Sequence, residues 1–138
     1  MHHGGLWWGA ALGVLGALGC EPVPESRWDE RVPPRGLYAE FLTDEAVEAA
    51  LPSLSAHDVS VTLALPTERI GDPELAGLLR AARRARVDLR LWPLLPVEAG
   101  YWPNESNLDL FTAEVSRLLD WLEAEALAVG AVVYDMEP

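Results

Sequence analysis

From Gly36 onward, short runs of consecutive apolar residues alternate with longer stretches in which apolar residues recur every three or four positions. The first pattern marks strands and the second marks amphipathic helices. Residues 36–41 are the first short apolar run. Thr43 and Asp44 then cap a helix to about Leu54, with Ala46, Val47, Ala50, Leu51 and Leu54 at helical spacing. Residues 59–65, rich in β-branched side chains and closed by Pro66, predict a second strand. Asp72 followed by Pro73 is an N-cap with proline in the first helical position, opening a helix to about Arg86. Residues 87–95 predict a third strand, and a loop spans 97–107. A helix over 108–127 follows, capped by Asn107, with Phe111, Val115, Leu118, Leu119 and Leu122 as its apolar stripe. Residues 131–134 predict a fourth strand, ahead of Asp135-Met136-Glu137-Pro138.

The order β-α-β-α-β-α-β predicts an α/β fold with a parallel sheet and crossover helices. A complete (β/α)8 barrel needs about 250 residues, and a strand ending flush with the chain leaves an unpaired edge. The expectation is therefore a partial (β/α)8 TIM-type barrel over residues 36–138, its N-terminal half, truncated after strand four. An open doubly wound sheet is the alternative.

Residues 6–18 are apolar and uncharged. That run is shorter than the about 20 residues needed to span a bilayer, and it suits the apolar core of an export signal. It leads into Ala17-Leu18-Gly19-Cys20, which holds the only Cys of the chain. This resembles a bacterial lipoprotein signal, although the segment before the apolar run has no Lys or Arg and Ala17 stands where Leu is usual. The resemblance implies removal of residues 1–19, lipidation of Cys20, and export to the cell envelope with a lipid anchor in the membrane. An ordinary secretory signal or an N-terminal membrane anchor is the alternative. Residues 20–35 are rich in proline and charge and read as an extended tether.

Composition narrows the function. Ten bases, all Arg, face 22 acids, for a formal net charge of -12. Such a surface repels phosphate backbones, so nucleic acid is not an expected partner. One Cys excludes an intramolecular disulfide and a thiolate zinc site, and three His, two of them His2 and His3, leave little for a histidine metal centre. His57 precedes the second strand, at the end opposite the expected site, which argues against a Ser-His-Asp triad. No phosphate-binding or dinucleotide motif follows any strand, and no cofactor is expected. Arg80, Arg83, Arg84 and Arg86 close a helix, where cations suit the dipole, and read as a solvated helix end rather than an anion site.

In parallel α/β folds ligands bind beyond the carboxyl ends of the strands. Glu40, Thr67-Glu68, the loop after the third strand, and Asp135 with Glu137 fall there. Alternate residues of a strand share a face, so Asp135 and Glu137 can point together with Cα atoms roughly 7 Å apart. Two such carboxylates drive one pKa up and keep one acid protonated, as glycoside hydrolysis requires. The segment Gly-Ala-Val-Val-Tyr-Asp-Met-Glu-Pro resembles the D-x-E strand of (β/α)8 glycoside hydrolases, as in family-18 chitinases and family-25 lysozymes. The resemblance implies Glu137 as proton donor and Asp135 as its partner. The chitinase pattern extends upstream as D-x-x-D-x-D-x-E, where this chain has Gly130 and Val133.

Trp92, Tyr101 and Trp102 offer flat faces suited to stacking on sugar rings, and Asn104, Glu105 and Asn107 offer groups suited to hydroxyls. Packing of the barrel rim is the structural alternative for the aromatics. Glu40 is either a floor residue of the site or half of a rim salt bridge, and an oxygen-ligand Ca²⁺ or Mg²⁺ site from Glu40, Asp135 and Glu137 is a further alternative. Asn104-Glu105-Ser106 matches an N-glycosylation acceptor, a chance match in a bacterial-type lipoprotein. The expected function is that of an exported glycoside hydrolase-like lipoprotein acting on a polysaccharide, the isolated half-barrel being inactive. A non-catalytic surface lipoprotein that binds glycan or protein, and a non-functional gene fragment, are the alternatives.

Overall fold

Three strands, β1 (Arg35–Ala39), β2 (Val59–Pro66) and β3 (Leu89–Leu94), pair in parallel in the order β1-β2-β3. A helix follows each: α1 (Asp44–Ala56), α2 (Pro73–Ala85) and α3 (Leu108–Ala124). The computed structural model describes residues 35–136, which fall within one compact unit over 33–138. The predicted lipidation site Cys20, the signal over 1–19, all of the tether over 20–35 except Arg35, and Glu137 lie outside the described residues.

The helices start where the sequence predicts. The Thr43 side chain accepts from the Ala46 N–H at 3.3 Å, and Asp72 accepts from the Glu74 N–H at 2.9 Å, so each satisfies a donor the helix leaves free. Val47 and Leu51 of α1, Leu75, Leu78 and Leu79 of α2, and Leu118 and Leu122 of α3 enter one core. They meet Ala39, Val61, Leu63, Leu65, Leu89 and Leu91 there. These strand residues alternate along each strand, so all three helices cover a single face of the sheet. The other face carries Tyr38, Thr62, Ala64, Arg90 and Trp92, brought into line by the pairs Tyr38↔Thr62, Thr62↔Arg90 and Ala64↔Trp92.

Two expectations change. The apolar stripe of α3 is narrower than its spacing predicts, because Leu119 is half exposed while Phe111, Leu118 and Leu122 are buried. The predicted fourth strand over 131–134 is reduced to one bridge, Leu91↔Val132. Three backbone bonds hold it parallel to β3: Gly130 N–H to Leu89 O, Leu91 N–H to Ala131 O, and Val133 N–H to Leu91 O. Among the described residues nothing pairs with its outer side, and an edge segment bonded on one side only has half the restraint of β2. What stands is an α/β unit with a three-stranded parallel sheet and three helices.

Candidate functional site

Past β3 the chain folds into a loop built from its own polar groups. A 3-10 turn, Val97–Ala99, leads into Gly100 at φ 103° and Tyr101 at φ 61°. Both occupy the left-handed region, which glycine enters freely and tyrosine only at a cost. A Cβ at Gly100 would also stand 2.8 Å from Asn107 Nδ2, so this position requires glycine on two counts. The Tyr101 backbone is held by bonds from Leu95 N–H to Tyr101 O, 2.9 Å, and from Tyr101 N–H to Pro96 O, 3.3 Å.

Asn107 corrects the sequence expectation. It precedes α3 but its side chain caps no helical N–H. Its Oδ1 accepts from the Asn104 N–H at 2.8 Å, and its Nδ2 donates to the carbonyls of Ala99 at 2.8 Å and Trp102 at 3.0 Å. The loop outcompetes the cap because it presents three backbone groups to one amide. Asn104 is likewise engaged, accepting from the Ser106 N–H and hydroxyl and donating to Trp102 O.

This scaffold aims Tyr101 across β2 to the end of β1, where its hydroxyl donates to Glu40 Oε1 at 2.8 Å. Of the two roles open to Glu40, a rim salt bridge does not occur among the described residues. Desolvation, and then the Glu40 carboxylate, push the Tyr101 phenol above its usual pKa, so the ring donates at neutral pH. Glu40 Oε2 has no protein donor among the described residues and can accept from a ligand hydroxyl.

One aromatic pair includes Tyr101 itself and another includes Tyr38, two residues before Glu40. Tyr101 and Trp102 meet edge to face at 5.3 Å, and Tyr38 meets Trp92 the same way at 6.0 Å, with Ala64 small enough on the strand between. Tyr38 is 65% exposed and Trp102 37%, so each offers a face to solvent. Trp92 is half buried, and its indole N–H is enclosed without a partner among the described residues. Tyr38 is the member that sequence reasoning missed; its sign was the two-residue alternation that puts it on the face of Glu40.

Asp135 is exposed at the far edge and makes no hydrogen bond or ion pair among the described residues. Just before it, Tyr134 packs against Phe111 of α3 at 5.9 Å. Gly130, at the first Asp place of the chitinase pattern, has the Asp88 carboxylate against it: a Cβ there would fall 1.6 Å from Asp88 Oδ1, which would have to swing aside. Asp88 is itself paired with Arg90 at 2.7 Å in an exposed ion pair.

Two arginines brace the same end of the sheet. Arg69 joins Asp44 of α1 at 2.5 Å and Asp72, the cap of α2, at 2.9 Å. The Asp44 contact, reinforced by Asp72, raises the Arg69 pKa and keeps it charged, while the Glu74 N–H and then Arg69 hold Asp72 below the usual carboxylate range. Arg117 donates to the carbonyls of Thr67 at 2.7 Å and Ile70 at 3.4 Å, and pairs with Glu114, fastening α3 to the turn after β2. Sequence spacing carries no sign of either brace across elements.

No family model matches the chain, and no curated protein or solved structure matches it. Among the described residues no group of three or more His, Cys, Asp or Glu is placed to hold a metal ion. The arrangement can bind a flat polar ligand: aromatic faces for its ring and a buttressed carboxylate for its hydroxyls.

Proposed function

We propose that this protein acts on glycans, as an exported glycoside hydrolase-like lipoprotein whose site lies at the carboxyl ends of the strands. The observation that carries the reading is the Tyr101–Glu40 hydrogen bond, which draws the aromatic loop after β3 over the end of β1. Sugar rings stack on such aromatic faces while carboxylates accept from their hydroxyls. In this reading Glu137 protonates the leaving oxygen and Asp135 assists, within the first strands of a (β/α)8-type barrel. The sequential strand order and the coverage of one sheet face by all three helices are what such a barrel requires. Lipid attachment at Cys20 would hold the domain in the cell envelope, with a polysaccharide as partner.

A second reading, glycan binding without catalysis, is favoured by the exposed rings of Tyr38 and Trp102, which need no acid to function. Glu137→Gln in the protein as its cells produce it separates the two. Retained glycan binding with turnover lowered by about a hundredfold or more is the expected outcome for an acid catalyst. Turnover unchanged on every glycan that the protein hydrolyses would overturn the acid role, and binding without turnover in the unaltered protein would establish the second reading.

A further inference from the structure

The charges of this domain are sorted by end. Dividing each helix at its midpoint, and counting Arg117 with the turn after β2 that its side chain binds, the described residues place twelve carboxylates and two arginines toward the carboxyl ends of the strands. Five carboxylates and six arginines lie toward the other end. The two arginines on the site's side are Arg69 and Arg117, and both are committed to carboxylates and backbone carbonyls. The arginines at the opposite end, among them Arg83, Arg84 and Arg86, stand about 23 Å away along the eight residues of β2. That distance is nearly three Debye lengths at physiological salt, so they do not compensate the field at the site. The same screening leaves the carboxylates nearest the rings to act on a ligand at Tyr38, Trp92 and Trp102: Glu40 beside them, and Glu98 and Glu105 on the adjoining loop.

We infer that the ligand of this site is an amine-bearing saccharide, of the glucosamine type with its amino groups free, and that uronate or sulfate-bearing glycans are refused. The inference rests on the glycan reading above and adds the ligand's charge to it. An ammonium group gains from both components of the site: carboxylates attract it directly, and an aromatic face stabilises a cation through its quadrupole. An N-acetyl group in the same place has no charge to offer, and a uronate brings a like charge into the field.

The test titrates the full chain, in neutral detergent at about pH 6 where such amines are protonated, by tryptophan fluorescence. Three probes are compared: the glucosamine tetramer, its fully N-acetylated counterpart, and tetragalacturonate. The free-amine tetramer is expected to bind about tenfold more tightly than the acetylated one. That advantage should shrink toward parity at about 0.3 M salt, and tetragalacturonate should not bind. Glu40→Gln should weaken the free-amine tetramer more than the acetylated one and so narrow the difference between them, since Gln still accepts from Tyr101 but carries no charge. Equal or tighter binding of the acetylated tetramer, or any binding of the uronate, overturns the inference and leaves the glycan reading standing. Binding of none of the three overturns both.

Discussion

Tyr101 answers to three constraints at once: a left-handed backbone, two backbone hydrogen bonds to the start of its loop, and a hydroxyl bond to Glu40. A non-glycine residue keeps such a conformation only when its surroundings over-determine it, and such residues concentrate where function needs fixed geometry. Tyr101→Phe removes the hydroxyl alone and should cost about 1 kcal/mol at neutral pH. Because folding raises the phenol pKa, its contribution is present below the ordinary value of 10.0 and fades as pH rises beyond it. Denaturant melts of wild type and Tyr101→Phe at pH values from neutral to strongly alkaline should therefore converge; a constant gap would show that the hydroxyl's titration is not linked to folding. The sequence gives Tyr101 and Trp102 as aromatics on a long loop, which is legible from residue type. The conversion of Asn107 from helix cap to loop clasp is not, since it depends on three backbone groups that only the folded loop brings to it.

At the scale of elements, two of the three helix beginnings carry their caps in the sequence, and the ends fall within three residues of where the apolar spacing places them. Thr43 and Asp72 cap as their side chains predict. The helix ends, by contrast, use left-handed residues without glycine: Asp58 after α1, Arg86 after α2 and Ala126 after α3. The last two close with paired bonds, Val87 N–H to Ala82 O with Arg86 N–H to Arg83 O, and Leu127 N–H to Leu122 O with Ala126 N–H to Glu123 O. This is the geometry in which glycine is preferred, so the usual sequence sign of a helix end is lacking here and only the apolar spacing marks it. Ala126→Gly should stabilise the protein by about 1 kcal/mol, measured as a raised denaturant midpoint at unchanged slope. A lowered midpoint would mean that Ala126 gives up contacts worth more than its backbone strain. The braces from Arg69 and Arg117 were equally invisible, because they join residues from different elements.

At the scale of the whole molecule, β2 is paired on both sides with its inner residues in the core, whereas among the described residues 130–133 is bonded to β3 alone. Amide protection should follow that difference. Hydrogen exchange read by mass spectrometry is expected to find the Val61–Leu65 amides slowest and those of Gly130 and Val133 faster by orders of magnitude, and equal protection would show that the outer edge is covered in solution. The parallel order of the described strands was legible from the alternation of short and long apolar periods. The weakness of the fourth was not, because its composition is as apolar as that of the others and only its one-sided pairing among the described residues sets it apart.

In this sheet a whole helix lies between any two paired strands, so no hairpin is available to start it. A chain emerging from the ribosome must hold β1 unpaired until α1 and then β2 have been made. Pairings of such long range are slow to close because chain entropy is lost before any contact repays it. The molecule is therefore most exposed to misassociation during its own synthesis, and its yield in cells should depend on the rate at which β2 follows β1 more than on the stability of the finished core.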